Sequence, residues 1–171
     1  MWGFRILSIL CVLVSFNVKA ECLLQDFAPM VEQVNAPQLY IFVSFTMPEQ
    51  SLKLLAEQAS RVNGVLLFRG FLEDDVEKTT AKTYAVFGEN ISVEIAIDPE
   101  RFQQFKIEAV PAVVIAQPES TLEDKNSSPP FDVVTGDTSL EEALQRIAKE
   151  GTVEGQKAAQ QFLNRYRGAC E

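Results

Sequence analysis

The chain contains no histidine, and cysteine stands at three positions only, Cys11, Cys22 and Cys170. Without an imidazole, the sequence lacks the usual ligand of zinc and haem and the usual base of a serine or cysteine nucleophile. Cys22 and Cys170 are far apart, so they match neither the spacing of a redox pair nor that of a zinc site. These shortages argue against metalloenzymes and histidine-dependent hydrolases, and we expect no cofactor and no metal.

Long apolar runs are also scarce, and the one that exists lies at the start. A short basic beginning, the apolar run from Ile6 to Phe16, and Val18-Lys19-Ala20 together predict a cleavable secretory signal over residues 1–20. A membrane anchor needs about 20 apolar residues, and Glu21 before Cys22 does not suit a lipoprotein anchor. We therefore expect an exported protein with no membrane span after cleavage.

Basic residues are few. Removal of residues 1–20 would leave 13 basic against 24 acidic side chains and would move the formal net charge from -9 to -11. Such an acidic surface repels nucleic acid and anionic lipid and favours partners with basic patches. The net charge therefore argues against a nucleic-acid partner, but it does not identify the partner that the protein does bind.

The two cysteines of the exported chain form an even pair, which in an oxidising compartment predicts a disulfide between Cys22 and Cys170. An intramolecular bridge is the preferred interpretation. Two free thiols and an intermolecular bridge remain the alternatives.

Hydrophobic periodicity predicts an α/β chain in which strands and helices alternate. A helical lead-in (Leu23 to Val34) within residues 21–38 precedes one domain over residues 39–150, and residues 151–171 form a C-terminal helix and tail. The expected strands begin at Leu39, Val65, Ile91, Ala112 and Phe131, and helices follow the first three of them and the last. This is the thioredoxin order of elements, a three-layer sandwich around a central mixed sheet.

The segment from Leu39 to Lys53 predicts a buried strand that runs directly into a helix. In the thioredoxin fold this junction carries the redox Cys-x-x-Cys, but here it reads Thr46-Met47-Pro48-Glu49, so the redox motif is absent. Thr46 and Glu49 are spaced as a capping box, in which each side chain would bind the backbone of the other residue. We expect a capped helix start and no thiol chemistry.

A second segment, from Asp98-Pro99 through Phe105 to Val110-Pro111, resembles the approach to the cis-proline that faces the active cysteines in that fold. Pro111 is the predicted cis-proline. In that fold the two segments form a shelf for extended peptides, so we define a docking shelf of Thr46, Met47, Pro48 and Val110. An alternative interface is Leu23 to Val34 or the last helix (Phe162, Leu163, Tyr166), although both helices also suit packing on the protein's own core.

Three stretches carry a more specific resemblance: FVSFTMPEQSLKLL (Phe42 to Leu55), VLLFRGF (Val65 to Phe71) and IDPERFQQFKIEAVPAVVI (Ile97 to Ile115). Together with the signal, they resemble the TrbC family of F-type conjugative pilus assembly proteins. The resemblance implies a thioredoxin-like fold and a non-catalytic periplasmic assembly factor of a type IV secretion system. It also implies a TraW-like partner and other periplasmic or outer-membrane secretion components.

Two other functions fit the sequence less well. A periplasmic thiol-disulfide oxidoreductase or isomerase would have to work through Cys22 and Cys170, which lie far along the chain from the junction that is active in that fold. A chaperone for pilin subunits overlaps with the assembly factor.

Overall fold

The computed structural model describes residues 36–89, 92–118 and 129–168, so the predicted signal, the helical lead-in, Cys22 and Cys170 lie outside the described residues. The strands are β1 (Gln38–Val43), β2 (Val65–Phe68), β3 (Glu94–Ile97), β4 (Ala112–Ala116) and β5 (Phe131–Thr135). The α-helices are α1 (Glu49–Ser60), α2 (Val76–Phe87), α3 (Pro99–Gln104), α4 (Leu140–Glu150) and α5 (Val153–Gly168). A short 3₁₀ turn, Leu72–Asp74, precedes α2.

The five strands form one mixed sheet in the order β3-β2-β1-β4-β5. β1, β2 and β3 are parallel to one another, and β4 is antiparallel to both β1 and β5. Phe42 in the central strand lies opposite Leu67 on one side and Ala112 on the other. This mixed five-stranded sheet is thioredoxin-like, as the sequence predicts, and β3 and β5 are its two edges.

Side chains of β1 alternate between two cores, one on each face of the sheet. Leu39, Ile41 and Val43 pack beneath α1, α2, α4 and α5, which we call the four-helix face. Tyr40 and Phe42 point to the opposite face, where α3 and the residues after it pack, and which we call the α3 face. Both sets are buried, as the central strand of a three-layer sandwich requires.

Aromatic rings fill the α3 face. The ring of Phe42 meets that of Phe102 edge-to-face at 4.7 Å between centroids and lies 6.0 Å from that of Phe105. The Asp98 side chain accepts a hydrogen bond from the Arg101 amide, and Pro99 is the first helical residue, so α3 starts where the sequence predicts. These contacts fix the segment that leads to Pro111.

The hydrophobic pattern of the sequence predicted the positions of most strands and helices correctly. The strands predicted to begin at Val65, Ala112 and Phe131 begin at those residues. β3 is shorter than the run that starts at Ile91, and α2 begins at Val76 with Asp75 as its cap, after the 3₁₀ turn. The differences lie at element ends, where local pattern is weakest.

The last helix belongs to the core of the protein. Ala159, Phe162, Leu163 and Tyr166 of α5 are buried in the same cluster as α4, so the core continues past residue 150. The apolar face of this helix is therefore covered by its own chain. Within the described ranges, no helix combines the length and the apolar character needed to cross a bilayer.

Candidate docking site at the β1–α1 junction

A tight turn connects β1 to α1. The Met47 amide donates to the Ser44 carbonyl at 3.0 Å. The hydroxyls of Ser44 and Thr46 lie 2.9 Å apart, and the Thr46 amide donates to the Ser44 hydroxyl at 3.2 Å. The polar groups of Thr46 are thus directed back into the turn rather than into the helix.

The predicted capping box of Thr46 and Glu49 is wrong. The residue that precedes α1 is Pro48, in an extended conformation (φ -56°, ψ 135°), and no side chain caps the helix. Because Pro48 occupies the cap position, Thr46 lies two residues upstream, where its hydroxyl bonds to Ser44 instead.

The Glu49 carboxylate pairs with a residue of another helix. It accepts a hydrogen bond from Lys82 Nζ on α2 at 2.5 Å. This bond and the charge of Lys82 lower the pKa of Glu49 below its usual value. The residue that suggested a local cap therefore connects α1 to α2.

The loop before β4 faces this turn. The peptide bond between Val110 and Pro111 is cis, the isomer that the sequence analysis expects there. The Pro111 carbonyl accepts a hydrogen bond from the Gly136 amide at 3.0 Å. Among the described residues, neither the amide nor the carbonyl of Val110 takes part in a hydrogen bond. Both groups are available to an added strand of backbone.

A cleft of about 490 Å³ lies between the turn and the loop. Thr46 and Val110 both line it, and aromatic side chains, among them Phe45 and Phe71, supply much of the remaining lining. Glu108 contributes a carboxylate near Val110. The cleft is therefore a largely apolar surface whose lining also includes Val110 and a few charged residues.

Arg69 holds the loop in place. One of its guanidinium nitrogens donates to the Ile107 carbonyl at 2.6 Å, and the guanidinium lies over the Phe102 ring at 4.9 Å from the centroid. Both contacts attach the end of β2 to the segment before Pro111. A fixed loop lets Val110 present its backbone without a large ordering cost.

The structure brings only part of the predicted docking shelf together. Thr46 and Val110 share the cleft, whereas Met47 is half-buried against the core of the four-helix face and Pro48 is exposed outside the cleft. Arg69, Phe71 and Glu108, which also line the cleft, were not predicted from the sequence. A signal for the first two existed, because β1 and β2 are parallel and the residues after their carboxyl ends meet at one edge.

The cleft offers non-covalent contacts: aromatic rings, hydroxyls and two unused backbone groups. No cysteine or histidine stands within residues 36–89, 92–118 and 129–168, and no cluster of potential metal ligands occurs in those ranges. Such a surface suits an extended peptide that pairs with Val110 and places apolar side chains against the aromatic wall.

Residues 41–147 match the TrbC family, described as type-F conjugative transfer system pilin assembly protein. A similar curated protein is the periplasmic protein TrbC of Escherichia coli strain K12, which is 26% identical over 110 residues. That match covers 64% of this chain and 47% of the relative, so the chain matches about half of the relative's length.

Two solved structures from Mycobacterium tuberculosis show weaker likeness. One is DsbF in its mixed oxidised and reduced forms, 13% identical, with a TM-score of 0.43, covering 79% of this chain and 81% of that one. The other is a secreted disulfide oxidoreductase homologous to Escherichia coli DsbE, 11% identical, with a TM-score of 0.42, covering 78% and 82%. At these scores neither likeness bears on activity. The match over residues 41–147 includes both sides of the cleft, and the chain belongs to the TrbC family of type-F conjugative transfer system pilin assembly proteins.

Proposed function

We propose that this chain is a periplasmic, non-catalytic assembly factor of an F-type conjugation system, which acts by binding other components of that system. Family membership supports the role in pilin assembly. The name of the Escherichia coli relative supports the periplasm, as does the signal predicted over residues 1–20.

The observation that carries the proposal is the cleft between Thr46 and Val110. It retains the parts of the thioredoxin-like frame that can hold a peptide, namely an aromatic wall and the free backbone of Val110. The position where a redox enzyme of this fold has its cysteines holds Thr46 to Glu49 instead. Binding without thiol exchange is the function that these groups support.

The proposed ligand is an extended segment of another secretion component, and a TraW-like protein is the first partner to test. One strand of ligand backbone would pair with the amide and carbonyl of Val110. Its side chains would alternate between solvent and the wall that contains Phe45 and Phe71. Pairing through backbone groups would give affinity, and the aromatic wall would select apolar side chains.

A capture experiment with the full exported chain tests this. Thr46→Arg would place a long charged side chain in the cleft from an exposed position, so the fold should survive. We expect at least tenfold less TraW-like protein to be retained from periplasm of a conjugating strain. The matched control is Gln50→Arg, which adds the same side chain at an exposed position of α1 outside the cleft.

Equal capture by Thr46→Arg and the unaltered chain, with circular dichroism showing both folded, would remove the cleft as the binding surface. The oxidoreductase alternative has its own assay. Insulin reduction by the unaltered chain, accompanied by turnover of Cys22 and Cys170 between thiol and disulfide, would contradict a non-catalytic role.

A further inference from the structure

A second groove, of about 290 Å³, lies between helix α2 and the edge strand β3. Ile95 and Ile97 of β3 line one side, Val76 and Tyr84 of α2 line the other, and Phe71 stands at one end. Phe45, Phe68 and Phe71 line both this groove and the cleft described above, so the two surfaces adjoin and share these three rings. We call this second surface the α2–β3 groove.

Helix α2 leaves apolar side chains uncovered along this groove. Only Thr79 and Val86 of its 12 residues are buried, whereas Val76 is 59% exposed and Tyr84 is 51% exposed. The Tyr84 hydroxyl donates to the Glu89 carboxylate, which holds the ring at the groove. Val76 and Tyr84 stand about two helical turns apart and line the same groove, so together they present apolar surface to whatever occupies it.

The other side of the groove is a strand edge. Within the described ranges β3 pairs only with β2, so the backbone groups on its outer side face no neighbouring strand. An open edge of this kind accepts an additional strand from another chain. The groove therefore offers apolar contact and backbone pairing side by side.

The segment that contributes most of the groove's lining residues is strongly negative. Residues 71–98 contain seven acidic side chains against two lysines, a net charge of -5. Both lysines already form ion pairs, Lys78 with Glu73 and Lys82 with Glu49. Asp74, Glu77 and Glu94 are exposed and form no ion pair with any described residue.

We propose that the α2–β3 groove binds an extended segment of a partner protein in which apolar side chains alternate with lysine or arginine. The apolar side chains would enter the groove against Val76 and Tyr84, and the backbone would extend the sheet at β3. The basic side chains would meet the exposed carboxylates. A second copy of this chain is disfavoured, because the acidic segment of residues 71–98 in one copy would then face the same acidic segment in the other. This proposal does not depend on the function proposed for the cleft, because Val76, Tyr84 and the two isoleucines of β3 line the groove and not the cleft.

Three fluorescent ten-residue peptides serve as probes for anisotropy titrations with the full exported chain. One alternates valine and lysine, a second alternates valine and glutamate, and a third alternates serine and lysine. The valine–lysine peptide should bind at least tenfold more tightly than either of the others. If the serine–lysine peptide bound as tightly as the valine–lysine peptide, charge alone would account for the binding, and the proposal would be overturned.

The decisive variant is Val76→Asp, which removes an apolar contact while adding a negative charge. If charge alone held the peptide, this variant would bind valine–lysine as tightly as the unaltered chain or more tightly. We expect at least tenfold weaker binding. Its matched control is Val153→Asp, because Val153 is equally the first residue of a helix and is 61% exposed, away from the groove. The Val153→Asp control should bind the valine–lysine peptide with an affinity within twofold of that of the unaltered chain.

Hydrogen exchange locates the bound peptide. Amides of β3 should gain protection on addition of the valine–lysine peptide, and those of β5, the opposite edge, should not. Protection of β5 alone would contradict the proposal. If the free chain sediments as a dimer that Val76→Asp dissociates, the occupant is a second copy instead. If β3 is fully protected before any peptide is added, the chain's own residues already fill the groove.

Discussion

At the scale of single residues, the start of α5 requires a glycine, because a side chain at that position would collide with a carboxylate of β5. The Asp132 carboxylate on β5 accepts hydrogen bonds from the amide and the hydroxyl of Thr152, at 2.8 and 2.6 Å. Gly155 lies directly beneath that carboxylate, and a Cβ there would overlap Asp132. The glycine is needed because of this close approach, since glycine inside a helix otherwise costs stability.

Gly155→Ala should therefore destabilise the protein even though alanine is the better helix former. Helix propensity favours the substitution by about 1 kcal/mol. Loss of two hydrogen bonds to a charged group costs about 1.5–3 kcal/mol each, reduced here by solvent exposure. We expect a net loss of about 1 kcal/mol in the free energy of unfolding, measured in urea.

The same substitution in an Asp132→Ala background provides the control. With the carboxylate gone, Gly155→Ala should become stabilising by at most about 1 kcal/mol, because helix propensity then acts against only a tight contact of the new Cβ with the Thr152 hydroxyl. If Gly155→Ala changed the free energy of unfolding in the same direction in both backgrounds, Asp132 would not be the reason for the glycine.

At the scale of elements, two helix starts that look alike in sequence differ in structure. Ser139 and Glu142 at the start of α4 form a complete capping box: the Glu142 amide donates to the Ser139 hydroxyl oxygen, and the Ser139 amide donates to the Glu142 carboxylate. Hydrogen bonds from Ser139, with that from its backbone first, lower the pKa of Glu142. Thr46 and Glu49 have the same spacing, but Pro48 takes the cap position and no box forms.

Ser139→Ala should cost about 1 kcal/mol of stability at pH 7, as loss of a serine cap does. Because the folded-state pKa of Glu142 is lowered, its contribution is present above the ordinary pKa of 4.5 and is lost as pH falls through the folded value. The cost of the substitution should therefore be smaller at pH 3 than at pH 7, as measured by urea unfolding at both.

Thr46→Ala is the matched control for that experiment. Within the described residues the Thr46 hydroxyl bonds to the Ser44 hydroxyl alone, and Thr46 itself is exposed, so its loss should change the free energy of unfolding by no more than about 0.5 kcal/mol. A cost at Thr46 equal to that at Ser139 would mean that α1 is capped through Thr46 after all.

At the scale of the whole molecule, the two faces of the sheet are covered unequally. Four helices cover one face, whereas α3, with six residues, is the one described helix on the other. The α3 face depends on large rings, and Phe42 at its centre is fully buried against Phe102 and Phe105. Its packing also holds the segment that positions Val110.

Phe42→Ala should lower the free energy of unfolding by about 3–5 kcal/mol, because it removes a large buried ring and leaves a cavity. Chemical denaturation measures the change. Val133→Ala on β5 is the comparison, since Val133 is 43% exposed and its truncation should cost less than about 1 kcal/mol. Similar costs at the two positions would contradict a tightly packed α3 face.

The sequence by itself determined the alternation of strands and helices, because hydrophobic periodicity is a local property. It also predicted that Thr46 to Glu49 stand where a thioredoxin-type enzyme has its redox pair, and it showed the resemblance to the TrbC family. Only the tertiary structure decided which side chains share a surface. It placed Thr46 and Val110 in one cleft with Arg69 and Phe71, and it left Met47 and Pro48 outside.

The physical reason is that these outcomes depend on contacts between residues far apart in the chain. Glu49 is bound by Lys82, 33 residues away, and Arg69 is bound to Ile107, 38 residues away. The α2–β3 groove likewise exists because α2 packs loosely over an edge strand, which no local pattern of either element reveals. Local sequence pattern predicted the strands and helices, whereas packing between distant residues decided which side chains line the cleft and the groove.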